Sequence, residues 1–213
     1  MSTIKQGILG PFSGKVGSVI GATWNGIAYM RGIATSVTNP RTPAQLAQRA
    51  KFATVINFLR PLSAFLRIGF KNYAIQMSGF NAAMSYNLNH AIQGIYPDYD
   101  IDYSKALLTR GSLPAALNPS ATSTVAGTIN FTWDDNSTET NASEDDKVIV
   151  VVYNPLKSQA VTITDGNPRT LGNDSITIPD SFSGDEVQCF IAFQNANQSV
   201  LSNSLYVGSV ICV

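Results

Sequence analysis

The sequence predicts an α+β protein in which a glycine-rich β arm and a helical hairpin or small bundle precede an antiparallel β-sandwich. Three observations lead there. Glycines recur every three to six residues between Gly7 and Gly32. Apolar residues then repeat at helical spacing from Ala44 to Tyr73, and beyond Gly111 they alternate in short runs separated by turn residues.

The arm sets Val16, Val19, Ile20, Trp24, Ile27, Tyr29 and Met30 between its glycines. That spacing suits short strands with tight turns, or close backbone approach to another chain, and it disfavours helix. So few apolar residues make little core, and the arm must borrow one from the rest of the protein or from a neighbour. Gly10-Pro11-Phe12-Ser13-Gly14-Lys15-Val16 superficially resembles a phosphate-binding loop. Such a loop requires four residues between its glycines and Ser or Thr after the Lys, whereas here there are three and Val16, so the segment reads as a turn.

Asn39-Pro40-Arg41-Thr42-Pro43 marks a helix start, with Thr42 as N-cap and Pro43 at the first helical position, where a missing N–H costs nothing. Leu46, Ala50, Ala53, Ile56 and Leu59 form one broad face, widened by Phe52, Val55 and Phe58. Pro61 is expected to interrupt this helix and start a second, carrying Leu62, Phe65, Leu66, Phe70 and Tyr73 as its stripe. A third helical segment is expected near 81–92, where Ala82 and Ala83 permit close packing.

After Gly94 the pattern turns strand-like, through Asp100-Ile101-Asp102-Tyr103. From Val125 the alternation is plain, with Ile129, Phe131 and Trp133 on one face of a strand and Lys147 to Tyr153 almost continuously apolar. Further strands are expected near 160–164, 174–178, 186–194 and 201–207, divided by turns such as Asp165-Gly166-Asn167-Pro168 and Ser183-Gly184-Asp185. Six or seven strands at this spacing indicate an immunoglobulin- or fibronectin-III-like sandwich with Trp133 as a core anchor. The expected domains are 1–111, arm and helices, and 112–213, the sandwich.

Charge follows the same division. Residues 1–110 hold eleven Lys or Arg against Asp98, Asp100 and Asp102, a formal +8, while 111–213 hold three basic residues against eleven acids, a formal −8. These are either two ordinary surfaces of opposite sign or complementary ends that join copies head to tail. The basic residues are scattered, which argues against specific nucleic-acid binding. Charged residues make up only 13% of the chain, about half the usual share, and such a neutral polar surface is easily buried against neighbours.

Candidate chemistry is sparse. His90 has no sequence-adjacent partner for acid–base work, and neither GxSxG nor HExxH occurs. Cys189 reads as a small buried thiol, although a disulfide with Cys212 stays open. Asp134-Asp135-Asn136 and Glu144-Asp145-Asp146 offer oxygen ligands of the kind Ca²⁺ takes, but lack the spacing of an EF-hand loop and read as a solvated loop. No secretory signal and no membrane-spanning stretch is visible, so the chain is expected to be made in the cytoplasm.

Taken together, Gly10-Pro11-Phe12-Ser13-Gly14-Lys15-Val16-Gly17, Trp24-Asn25-Gly26, Arg31, Pro40-Arg41-Thr42-Pro43-Ala44-Gln45, Arg49, Phe52, Gly69-Phe70, Gly94, the expected Asp102-Tyr103-Ser104 strand, Arg110-Gly111, Trp133, Val152-Tyr153-Asn154 and Ser202-Asn203-Ser204-Leu205-Tyr206 give nearly the whole chain a family resemblance. It resembles a domain family of unknown function common in Bacteroidota and in their phages and prophages. The resemblance implies no enzyme activity and no cofactor. It suggests a virion component, such as a ring, collar or head–tail connector subunit of a crAss-like tailed phage. The expected partners are further copies of the chain and virion proteins such as portal, tail or neighbouring ring proteins, with no membrane involved. Trp24, Arg31, Arg41, Gln45 and Arg49 are the candidate contact residues. The alternative is a cell-surface or adhesion-type module binding glycan or protein through the sandwich.

Overall fold

The computed structural model describes residues 3–4, 10–24, 26–36, 39 and 41–213, with backbone alone at Thr3 and Ile4. The chain forms two compact units, Met1–Gln45 and Leu46–Val213.

The first unit holds β1 (Thr3–Ile4), β2 (Phe12–Val16), β3 (Val19–Trp24) and β4 (Ile27–Gly32), an antiparallel sheet in sequence order. Gly17 closes the β2–β3 hairpin at φ +56°, in the left-handed region that a side chain disfavours. Gly21 answers to space: a Cβ there would lie 2.2 Å from the Phe12 carbonyl oxygen and 2.7 Å from the Phe12 ring. The glycine spacing thus makes strands and turns, but the segment Gly10–Val16 expected as a turn supplies strand β2 from Phe12 on, and the turn falls at Gly17–Ser18.

In the second unit, α1 (Pro43–Leu59, whose first turn spans the division), a single 3₁₀ turn at Arg60–Leu62 and α2 (Ser63–Gly69) form one continuous helical run. Pro61 tightens one turn of this run instead of starting a separate helix, because it falls at the first positions of the 3₁₀ turn, where no N–H is required. The run buries Val55, Phe58, Leu59, Leu62, Phe65 and Leu66. Ser78 caps α3 (Gly79–His90) by accepting from the Asn81 N–H at 3.2 Å. Gly79 brings α3 against α2, since a Cβ would meet the Leu66 oxygen at 2.6 Å. The hairpin β5 (Ile92–Ile95)–β6 (Asp98–Ile101) follows.

The remaining strands are β7 (Leu117–Val125), β8 (Thr128–Asp134), β9 (Lys147–Asn154), β10 (Gln159–Ile163), β11 (Asn173–Thr177), β12 (Glu186–Gln194) and β13 (Leu205–Ile211). They make two antiparallel sheets, ordered β10-β9-β12-β13 and β11-β8-β7. Successive side chains of a strand point to opposite faces, and in β9 and β12 both faces are buried. Val148, Val150, Val152, Cys189, Ile191 and Phe193 pack with Ile129, Phe131, Trp133 and Ile176 of the other sheet. Ile149, Val151, Tyr153, Phe190 and Ala192 pack with the helices. The four-stranded sheet is therefore the middle of three layers, which explains why β9 reads as almost uninterruptedly apolar.

The expected boundary at 111/112 falls inside the second unit. There the Leu108 N–H donates to Ser204 Oγ at 2.8 Å, Thr109 Oγ1 donates to the Ser202 oxygen at 2.9 Å, and the Leu113 N–H donates to the Leu201 oxygen at 3.0 Å. Gly111 passes so close to Leu201 that a Cβ would sit 1.8 Å from its oxygen. The break in composition and charge marks a change of layer within one body.

Candidate assembly interface

Register fixes the two faces of the arm sheet. Ile20 pairs with Arg31, Ala22 with Tyr29, Trp24 with Ile27, and Lys15 with Ile20. Directly opposed residues share a face, so Lys15, Ile20, Trp24, Ile27, Tyr29 and Arg31 lie together, while Phe12, Val16, Val19 and Met30 line the other side. Trp24, Ile27 and Tyr29 are each about half exposed, and Met30 is 70% exposed. Every residue of β4 is exposed. Among the described residues β4 pairs only with β3, which leaves one edge of N–H and C=O groups open to another strand. Aromatic side chains beside arginine are the composition of interface cores, and the sequence has no Asp or Glu before Asp98 to neutralise Lys15 and Arg31.

Of the candidate contact residues, the structure places Trp24 and Arg31 on this one face. Arg41 is exposed ahead of α1. Gln45 serves the helix start: Thr42 N–H donates to Gln45 Oε1 and Gln45 N–H to Thr42 Oγ1, each at 3.4 Å, a reciprocal cap. Arg49 is exposed and already engaged in a contact within the chain.

Sequence reasoning missed a second cluster, on the helical layer. Tyr86 and His90, one turn apart on α3, stack at 4.4 Å, and His90 Nδ1 lies 2.8 Å from the Tyr86 oxygen. The Arg110 N–H donates to the Gly69 oxygen, and its guanidinium sits over the Tyr73 ring at 4.3 Å and near Tyr86 at 5.7 Å. A cleft of about 260 Å³ opens among them, floored by Phe70 and Ala82. The Tyr86–His90 spacing was a readable signal, whereas Tyr73 and Arg110 are joined only by the fold.

The acidic loop between β8 and β9 has a buried anchor. Arg169, fully buried, donates to Asp146 Oδ2 from Nε at 3.2 Å and Nη2 at 3.1 Å, to Asn136 Oδ1 at 2.6 Å, and to the Pro114 oxygen at 3.1 Å. It stacks on Phe193 at 3.8 Å, and its own carbonyl accepts from Trp133 Nε1 at 2.7 Å. Burial pulls its pKa below the usual arginine value, and Asp146 opposes that shift. Asp146, a candidate calcium ligand from sequence, is thus committed to an ion pair. Among the described residues no group of three or more His, Cys, Asp or Glu side chains gathers as a metal site. Cys189 and Cys212 are both free and buried. Burial, with Cys212 nearby, pushes the Cys189 thiol up to about 12.

No helix among the described residues is long and apolar enough to cross a membrane. No curated protein matches the chain. Residues 11–208 match DUF6266, a family of unknown function, and the chain belongs to that family.

Proposed function

We propose that the protein is a non-catalytic structural subunit of a phage virion, a ring, collar or head–tail connector protein that assembles with copies of itself through its arm and helices. The observation that carries this reading is the arm sheet, which has exposed apolar side chains on both faces and an open edge strand. Contiguous apolar surface of that kind marks a protein contact. The resemblance to phage and prophage proteins supplies the setting, with portal, tail or neighbouring ring proteins as further partners and the virion as the location. We take the seven strands β7 to β13 as an immunoglobulin- or fibronectin-III-like sandwich. A division into four and three strands with Trp133 between the sheets supports this. An adhesion module would need aromatic side chains exposed on this sandwich, but Trp133, Phe182, Phe190 and Phe193 are buried.

Mass photometry and single-particle imaging of the concentrated protein test the proposal. Closed oligomers are expected, and Trp24→Glu/Tyr29→Glu should dissociate them while leaving the melting transition of the second unit in place. A protein that stays monomeric at high concentration, and is absent from purified particles, would overturn it.

A further inference from the structure

We propose that copies of this chain join by seating the acidic β8–β9 loop of one copy in an arginine-lined groove on the helical layer of the next. The inference deepens the self-assembly reading above and rests on it.

The groove lies between the long helical run and the start of α3. Ile56, Arg60, Ser63 and Arg67 recur along the run at spacings of four, three and four, which puts them on one helix face. Ser78, the cap of α3, and Phe80 in its first turn form the opposite wall of a hollow of about 260 Å³. Ile56 and Phe80 are half-buried and make an apolar floor, while Arg60 and Arg67 are exposed at its rim. Among the described residues neither guanidinium has an ion-pair or hydrogen-bond partner. No acidic residue precedes Asp98, so neither the helical run nor α3 carries a carboxylate.

The loop has the opposite character. Asp134, at the end of β8, and Asp135, Glu139, Glu144 and Asp145 beyond it are all exposed, and none of them forms a salt bridge among the described residues. Asp146 alone is neutralised, by buried Arg169. That anchor holds the loop in one shape, as do the turns that donate Glu139 N–H to the Asn136 oxygen and Ala142 N–H to the Glu139 oxygen, at 3.1 and 3.0 Å. A loop ordered before contact loses little conformational freedom on docking.

The two surfaces belong to different layers, since the loop leaves the three-stranded sheet and the groove lies among the helices, and neither neutralises the other within one copy. Joined between copies, five carboxylates without a salt-bridge partner, of which Asp134 and Asp135 accept only from Asn118 and the Ser137 N–H, meet two arginines without one, and because the two patches differ, the contact repeats from copy to copy, as a ring requires. The apolar floor between the arginines favours a protein segment over a nucleic-acid backbone.

Charge reversal tests this on the full chain. Arg60→Glu/Arg67→Glu and, separately, Glu139→Lys/Glu144→Lys/Asp145→Lys change exposed side chains, and unaltered circular-dichroism melts establish that both variants fold. Sedimentation velocity should show self-association weakened about tenfold or more in each, with the wild-type protein losing association as salt rises. An equimolar mixture of the two variants restores matching signs at every junction and should recover wild-type assembly. Wild-type oligomers with variants that assemble equally well overturn the groove and loop but leave self-assembly standing, whereas a monomeric wild type overturns both. Binding of a labelled DNA duplex that is abolished by Arg60→Glu/Arg67→Glu would assign the groove to nucleic acid instead.

Discussion

Replacing Arg169 with methionine keeps an unbranched apolar stem of similar reach and removes the guanidinium. The Asp146 carboxylate, only 1% exposed, then loses both Arg169 donors to Oδ2 and keeps only the Ser143 N–H, at 3.0 Å, while its Oδ1 already has no hydrogen-bond partner. Asn136 Oδ1 and the Pro114 carbonyl lose theirs as well. Breaking one side of a buried ion pair costs about 3–5 kcal/mol. A chain of this length loses about 2–4 °C of melting temperature per kcal/mol, so a fall of about 6–20 °C is expected. Differential scanning calorimetry measures it, with urea unfolding as a second probe. The Arg169→Met/Asp146→Leu variant should recover most of the loss, because two apolar groups leave no stranded charge. If the single variant costs less than about 1 kcal/mol, or the double variant loses as much as the single, then the pair is not what fastens the acidic loop to the core.

Four further outcomes follow from the layers and the titrating groups. A fragment comprising residues 112–213 should bind hydrophobic dyes and lack a sharp melting transition, because Ile149, Val151, Tyr153, Phe190 and Ala192 lose their helical cover; a soluble, sharply melting fragment would refute the three-layer account. Cys189, pushed up to about 12, and Cys212, also raised by burial, should react with a thiol reagent in mildly alkaline buffer only as fast as the protein unfolds; rapid labelling of the native protein would count against it. The carboxyls of Asp102, beside Lys105 and Ser104, and Asp185, beside Lys157 and Asn154, are held below the ordinary value of 3.8. Their contribution to stability is therefore present above that value and disappears as pH falls through the lowered folded values, and Asp185→Asn should flatten part of this acid loss in a melting series. Gly111→Ala should cost about 1–3 kcal/mol by urea unfolding, because the backbone must move off the Leu201 carbonyl.

Much of the strand pattern was legible because alternation and turn chemistry are local. Trp133 was readable as a core anchor from its alternation with Phe131 and Ile129, and in the structure it packs edge-on against Phe193 at 5.6 Å. β7 was not legible: Leu117-Asn118-Pro119-Ser120-Ala121 has few apolar residues and a proline, as befits the edge of its sheet. The packing across residues 111/112 was not legible for another reason. The continuous apolar run of β9 says that both faces are buried but does not say that helices nearly a hundred residues earlier cover one of them. Trp24 and Arg31 were legible as candidates, and strand register put them on one face, whereas the capping role of Gln45 was already present in the Thr42–Gln45 spacing. The Arg169–Asp146 pair joins positions that only the closed sandwich brings together.

The middle sheet also dictates an order of events during synthesis. The helical run and α3 leave the ribosome with Phe58, Leu62, Phe65 and Leu66 uncovered, and half of the platform they need is β12 (Glu186–Gln194). At about 5–20 residues per second, the roughly one hundred residues from the end of α3 to the end of β12 take about 5–20 s to emerge. For that interval the nascent chain displays an apolar helix face without its cover. Premature association between neighbouring polysomes, or capture by a chaperone, would compete there with correct folding, and final closure awaits translation of β12.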